Sequence, residues 1–109
     1  MSIYWKIFTP AGSKDKAMKV AKSVVKSIGV SHSELVVEPY HKGGFTCSFE
    51  TIVSKGDWSC VVFETIELAQ IIGRAYTITG SIHDELDMWS NEPSVSGVTN
   101  IQVMAEKRA

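Results

Sequence analysis

Acidic side chains are concentrated in one short stretch of the sequence, SIHDELDMWSNEP at residues 81–93. Asp84, Glu85, Asp87 and Glu92 fall within nine positions, and no Lys or Arg lies among them. Carboxylates grouped in this way can serve acid–base catalysis, bind a hard cation or attract a basic protein. The spacing of the remaining polar residues decides which of these chemistries the sequence favours.

Catalysis and metal binding both lack a supporting motif. His83 and Asp84 are neighbours, and adjacent residues of a strand point to opposite faces, so we do not expect them to converge on a substrate or with Tyr76. No nucleophile elbow, phosphate-binding loop or zinc-protease helix is present in the sequence. The histidines and cysteines show no zinc-type spacing, and the acidic stretch lacks the mid-loop glycine of a calcium loop. The sequence therefore favours a non-enzymatic protein with no metal and no cofactor, without excluding an enzyme.

Nucleic-acid binding is also not favoured. The stretch HKGGFTCSF at residues 41–49 matches only part of the motif that places stacking aromatics on an RNA-binding sheet. Lysines at 19, 22 and 26 would form one stripe of a helix that could contact phosphates. A solvated polar helix face is the favoured explanation of that stripe, because a nucleic-acid-binding face would more often include arginine and the chain has only two arginines. Whether this lysine face has a function stays open.

A protein-binding surface is the remaining interpretation of residues 81–93. Tryptophan is enriched at the energetic centres of interfaces, and carboxylates speed the association of a basic partner. The candidate partner-binding residues are His83, Asp84, Glu85, Asp87, Trp89 and Glu92. A solvated loop whose Leu86 and Trp89 fold back onto the core is the alternative, and the sequence leaves both open.

Charge is unevenly distributed along the chain although the net charge is only −1. Residues 14–28 carry five lysines and one aspartate, a net charge of +4, whereas residues 29–106 carry three basic and eleven acidic residues, a net charge of −8. Such asymmetry biases which partners are attracted. It favours a basic partner for the acidic part.

Length and composition indicate an ordinary globular domain. The 109 residues are 44% hydrophobic and 21% charged, and we expect residues 1–109 to form one domain. No run approaches the roughly 20 apolar residues needed to span a bilayer, and the first residues are typical of a strand rather than of a signal peptide. Cys47 and Cys60 lie in apolar patterns and are expected to be small core residues, so a reducing, cytoplasmic location is the default.

Hydrophobic periodicity predicts a mixed fold. Ser13 and Gly29 bracket an amphipathic helix as N-cap and C′ residue, and a second helix extends from Trp58 to Ile72 with Asp57 as cap and Gly73 as C′ residue. A strand ending near residue 63 is the alternative for the start of that second helix. The expected strands cover residues 3–8, 34–40, 45–53, 74–82 and 99–105. The order β-α-β-β-α-β-β predicts an α+β, ferredoxin-like sandwich with an antiparallel sheet and both helices on one face.

The segment LAQIIGRAYTITGSI at residues 68–82 resembles the helix-to-strand passage of small bacterial toxin-immunity proteins. The resemblance implies a cytosolic antidote that binds and blocks a cognate toxin, often a basic nuclease. These families share no catalytic motif, so the resemblance assigns no residue a role. An acidic inhibitor would place carboxylates where the nuclease binds phosphates, and its affinity would fall with salt.

A small-molecule-binding or metabolite-handling α+β domain is the competing hypothesis. Proteins of this topology often dimerise through their sheets and leave a pocket at the seam. Trp5, Phe49, Tyr76 or His83 would line such a pocket, which requires concave apolar walls and a few polar groups.

Overall fold

The N-terminal strand is the centre of the fold in the computed structural model, which describes residues 1–53 and 56–107. Strand β1 (Ser2–Thr9) pairs antiparallel with β3 (Phe45–Ile52) on one side and with β8 (Asn100–Glu106) on the other. Its sequence, SIYWKIFT, is rich in β-branched and aromatic residues, which suits a strand that lies between two neighbours. Strand β1 therefore sets the register of the whole sheet.

Three further strands complete a six-stranded antiparallel sheet. Strand β2 (Val36–Pro39) flanks β3, while β6 (Glu85–Ser90) flanks β8 and carries β5 (Thr77–Thr79) at its outer edge. The strand order is β2-β3-β1-β8-β6-β5. A separate ribbon pairs β4 (Gly73–Arg74) with β7 (Glu92–Pro93). The predicted α+β class and antiparallel sheet are confirmed.

Both predicted helices are present. Helix α1 covers Lys14–Ile28, with the Ser13 hydroxyl accepting a hydrogen bond from the Lys16 amide and Gly29 closing the helix at φ 75°. Helix α2 covers Trp58–Ile72, so the alternative strand ending near residue 63 is not adopted. Asp57 occupies the N-cap position of α2, but its side chain makes no capping hydrogen bond.

One hydrophobic core joins the two helices to alternate residues of the strands. Ile3, Trp5 and Ile7 of β1 are fully buried and belong to the same cluster as Ala17 of α1 and Val61 of α2. Each helix contributes its aliphatic residues at helical spacing to this cluster, because an amphipathic helix must bury its apolar face. Residues of the opposite parity in each strand are left to form a second face of the sheet.

The region from residue 73 to 93 differs most from the predicted elements. The expected strand over residues 74–82 is divided into β4 and β5 by Ala75, which has a left-handed φ of 54°. Residues 85–90, for which no strand was predicted, form β6 in the main sheet. The main sheet therefore contains the neighbouring strands β5 and β6 in this region, where one longer strand was predicted. Most of the acidic stretch belongs to β6 and is not a loop.

Gly73 does not close α2 in the manner predicted for a C′ glycine. Its φ is −171°, an extended conformation open to any residue, and it begins β4 instead. A Cβ atom at this position would lie 2.9 Å from the Ile101 side chain and 3.0 Å from the Tyr76 hydroxyl. Close packing, not backbone freedom, explains the glycine.

The two cysteines are both free thiols. Cys47 is buried in the core as predicted, and its thiol lies 3.6 Å from the Ala17 carbonyl. Cys60 was also predicted to be a core residue, but it is only half-buried, because it faces Asp57 at the first turn of α2 with an Sγ–Oδ2 distance of 3.7 Å.

Residues 41–44 form the predicted hairpin turn between β2 and β3, and its two glycines differ in what surrounds them. Gly43 (φ 99°) and Gly44 (φ 73°) both have left-handed backbones. A Cβ on Gly43 would meet no atom within 4 Å, whereas one on Gly44 would overlap the Thr9 carbonyl oxygen. Only Gly44 combines a left-handed backbone with a backbone contact that cannot yield.

We expect Gly44→Ala to lower the free energy of unfolding by more than about 3 kcal/mol, since it adds overlap to the left-handed penalty. The matched change Gly43→Ala carries the conformational penalty alone, about 1–2 kcal/mol. Urea denaturation of both variants measures the difference. Equal losses would show that the contact with Thr9 does not constrain the hairpin.

Candidate functional site

The side chains that do not join the core form a second surface of the six-stranded sheet, called here the outer face. Its strands are held in register by β1, so that Lys6 lies opposite Ser48 on one side and Gln102 on the other. Gln102 in turn lies opposite Trp89 of β6, which lies opposite Thr77 of β5. The outer face is defined by Tyr4, Lys6, Phe8, Glu38, Glu50, Glu85, Asp87, Trp89, Gln102 and Glu106.

An aromatic row crosses the outer face near the C-terminal end of β1. The Phe8 ring packs against Trp89 with centroids 6.0 Å apart and meets the edge of Tyr40 at 5.2 Å. Trp89 retains 40% of its exposure, and the Lys6 ammonium group lies 5.5 Å from the Phe8 centroid. Trp89 is thus held by a neighbour on one side and presents the rest of its ring to solvent.

Carboxylates lie beside this aromatic row, most of them on the side toward the start of β1. The outer face carries five acidic residues and one lysine. The Asp87 carboxylate accepts a hydrogen bond of 3.2 Å from the Gln102 amide, which orients it beside the row. Glu85 lies directly opposite Glu106 in the β6–β8 pairing. Because like charges at opposed positions destabilise a sheet, this face places negative charge together at some cost to folding.

The predicted partner-binding residues occupy three different environments. Glu85, Asp87 and Trp89 are alternate residues of β6 and share the outer face. His83 and Asp84 are exposed in the turn before β6, where the Asp84 amide donates to the Ser81 carbonyl at 2.9 Å.

Glu92, the sixth predicted residue, lies apart from the other five. It belongs to β7, where it is opposite Arg74 in the small ribbon. The structure therefore brings three of the six together on one surface, places two in the turn beside it and leaves Glu92 against a basic residue.

The four residues predicted to line a small-molecule pocket do not converge. Trp5 and Phe49 are stacked at 5.9 Å inside the core, on the opposite side of the sheet from the outer face, so neither can line a seam between sheets. Tyr76 is half-buried and its hydroxyl donates to the Ala69 carbonyl at 2.8 Å, and burial raises the pKa of its phenol well above the ordinary value. His83 is exposed in its turn. The assignment of Trp5 and Phe49 was wrong because their parity is the one buried in the core with residues of the two helices.

A groove of about 500 Å³ lies at the Ser2 end of the sheet and adjoins the outer face at Glu50. His32, Glu50, Ile52 and Glu64 contribute to its walls. The Nδ1 atom of His32 lies within hydrogen-bonding distance, 2.7 Å, of the Ser33 carbonyl oxygen. Over residues 1–53 and 56–107 no group of three or more His, Cys, Asp or Glu side chains is placed to hold a metal ion.

The lysines of α1 lie on its exposed side, away from the core and therefore away from the outer face. The lysines give α1 a local net positive charge, which Glu64 and Glu67 of α2 partly offset, whereas the outer face is net negative. Such an asymmetry orients a charged partner before contact.

Several outer-face residues were not predicted. Tyr4, Lys6 and Phe8 were not assigned to this face because each parity of β1 contains large apolar residues; Lys6 was the one signal that marked their parity as the solvent-facing one. The sequence did contain one usable signal for β6: the alternation in ELDMWS separates Glu85, Asp87 and Trp89 from Leu86 and Met88, which are buried.

We expect Glu106→Gln to raise the free energy of unfolding by about 0.2–0.5 kcal/mol at low salt, because it removes the charge opposed to Glu85. Added salt should abolish the gain. Urea, which is uncharged, is the denaturant to use, and Glu67→Gln on the exposed side of α2 is the matched control. A gain of the same size in both variants would assign it to net charge rather than to the opposed pair.

In the described part of the chain no helix is both long and apolar enough to cross a membrane. No protein-family model, curated protein or solved structure matches this chain. The geometry of the outer face is therefore the evidence on which a function can be argued.

Proposed function

We propose that this chain is a non-enzymatic protein-binding domain that uses the outer face to bind a basic protein. The observation that carries the proposal is the combination of an anchored, partly exposed Trp89 with a neighbouring group of carboxylates on the same sheet surface. Interfaces obtain most of their affinity from a few aromatic anchors and much of their association rate from complementary charge. The outer face offers both.

The fold that carries this surface is, in our proposal, a ferredoxin-like sandwich. The order β2-β3-β1-β8 with α1 after β1 and α2 after β3 corresponds to the split β-α-β arrangement, and β6 and β5 extend it by two strands. The added strands matter for function because β6 supplies Asp87 and Trp89.

The toxin-immunity resemblance is consistent with this use of charge. In our proposal the partner is a toxin, such as a nuclease, whose substrate cleft is basic, and the carboxylates of the outer face occupy the positions of substrate phosphates. The free thiols of Cys47 and Cys60 suit the reducing cytoplasm in which an antidote of this kind would act. The proposal contains no catalytic step, and it assigns no role to the Cys60 thiol that lies 3.7 Å from the Asp57 carboxylate.

The net negative charge of the outer face can be removed without changing a core residue. We expect the double change Glu85→Lys with Asp87→Lys to lower the association rate with the partner by about tenfold or more at low salt, through loss of electrostatic attraction. The partner is first obtained by pull-down from the source lysate at low and high salt, and the rate is then measured by stopped flow or surface plasmon resonance.

The matched control is Asp15→Lys with Glu67→Lys, which makes the same change of net charge at exposed positions of α1 and α2. Circular dichroism and thermal unfolding establish that both double variants are folded. Equal slowing in the two variants would mean that total charge, not the outer face, governs association. An unchanged rate in the Glu85 and Asp87 variant would exclude this surface as the contact.

A further inference from the structure

Strand β5 is the last strand of the sheet, and the structure leaves its far side open. Among the residues described, β5 pairs with β6 on one side and with no other strand. A strand in this position presents unpaired N–H and C=O groups along one edge. Such an edge is a template on which another extended segment can be added.

The two edges of the sheet are protected to different degrees. The opposite edge, β2, contains Glu38 and Pro39, and charge and proline both discourage strand addition. Strand β5 has the sequence Thr77-Ile78-Thr79, without proline or charge. Ile78 is 51% exposed and the nearby Ile82 is 43% exposed. The open edge therefore lies beside exposed hydrophobic surface, whose burial against a partner would be favourable.

The open edge is also held in place at its C-terminal end. The Trp58 indole N–H donates to the Ile82 carbonyl at 2.7 Å, which ties the following turn to α2. The amides of Asp84 and Glu85 both donate to the Ser81 carbonyl. A template fixed in this way requires little ordering when a segment binds.

The two sides of the edge differ in chemistry. On the outer face, Thr77 and Thr79 lie opposite Trp89 and Asp87; on the other side, Ile78 lies opposite the buried Met88. Neighbouring strands are about 4.8 Å apart, so a lysine or arginine of an added strand could extend over the short threonines toward Asp87. Apolar residues of the same strand would lie beside Ile78.

We propose that β5 receives an extended segment of the basic partner as an additional strand, with cationic residues on the outer-face side alternating with apolar residues on the other. This inference rests on the proposed function and specifies how the partner binds. Charge complementarity with the outer face selects the cationic residues, and the exposed isoleucine selects the apolar ones.

The test uses a capped synthetic peptide of about nine residues, alternating lysine and valine, a length typical of a long strand. Binding is followed by chemical shifts and backbone amide exchange of the full chain at low salt. A block peptide of the same composition, with the lysines together, is the control for charge. Two further peptides carry N-methyl groups, one on every lysine amide and the other on every valine amide.

Strand addition predicts an asymmetry between the two methylated peptides. In an extended strand the amides of lysines and of valines point to opposite sides, so only one series faces β5. Methylation of the series that faces β5 should weaken binding by about tenfold or more, since its hydrogen bonds to the edge are lost. The peptide methylated on the other series should bind like the unmethylated parent. The parent peptide should slow exchange of edge amides within residues 77–79, and the block peptide should not.

The other outcomes overturn the inference in distinguishable ways. Equal binding of all four peptides, without protection of residues 77–79, would mean that the outer face attracts basic segments by charge alone; the proposed function would stand and strand addition would fall. Absence of binding by any peptide would contradict both. Concentration-dependent protection of residues 77–79 without peptide would show that a second copy of this chain occupies the edge instead.

Discussion

The register between β1 and β3 is the constraint on which the rest of the structure depends. Trp5 is completely buried and stacks on Phe49, and its indole N–H donates to the buried Thr51 hydroxyl at 2.9 Å. A buried indole without an acceptor would be costly, and a slip of one residue would turn every side chain of β1 to the opposite face. The hydrogen bond thus selects the register in which Trp5 points inward and Tyr4, Lys6 and Phe8 point outward.

The composition of the outer face follows from that register. Once Phe8 points outward, it provides the surface on which Trp89 packs, and Gln102 lies where it can orient Asp87. The same sheet then places Glu85 opposite Glu106, an arrangement that folding alone would not favour. Violations of local stability rules are expected where a surface has a function. This pattern is the physical reason for assigning partner binding to the sheet rather than to the helices.

Local signals in the sequence were sufficient for the helices and the hairpin. Ser13 and Gly29 delimit α1 as expected, and the paired glycines provide the positive φ angles of the turn. Strand β6 was missed because aspartate and glutamate are uncommon in strands, although Leu86, Met88 and Ser90 alternate with them on the buried side. The division of residues 73–79 was also missed, since nothing in the sequence around Ala75 announces a left-handed residue.

The candidate site was predictable only in part, for a related reason. The acidic stretch identified Asp87 and Trp89, but their neighbours Phe8, Gln102 and Glu106 come from the two ends of the chain. Contacts between such distant segments depend on strand order, which local periodicity does not contain. The assignment of Trp5 and Phe49 to a pocket failed similarly, because their burial depends on which face the helices cover.

Site-specific photo-crosslinking would establish whether the outer face is the surface that contacts the partner. A photoreactive phenylalanine analogue would replace Trp89 in one variant and Phe63, an aromatic residue of α2 that is 69% exposed, in another. In the source cells, the account predicts a discrete adduct with one basic protein from position 89 and none from position 63. An adduct with that protein from position 63 and none from position 89 would contradict it.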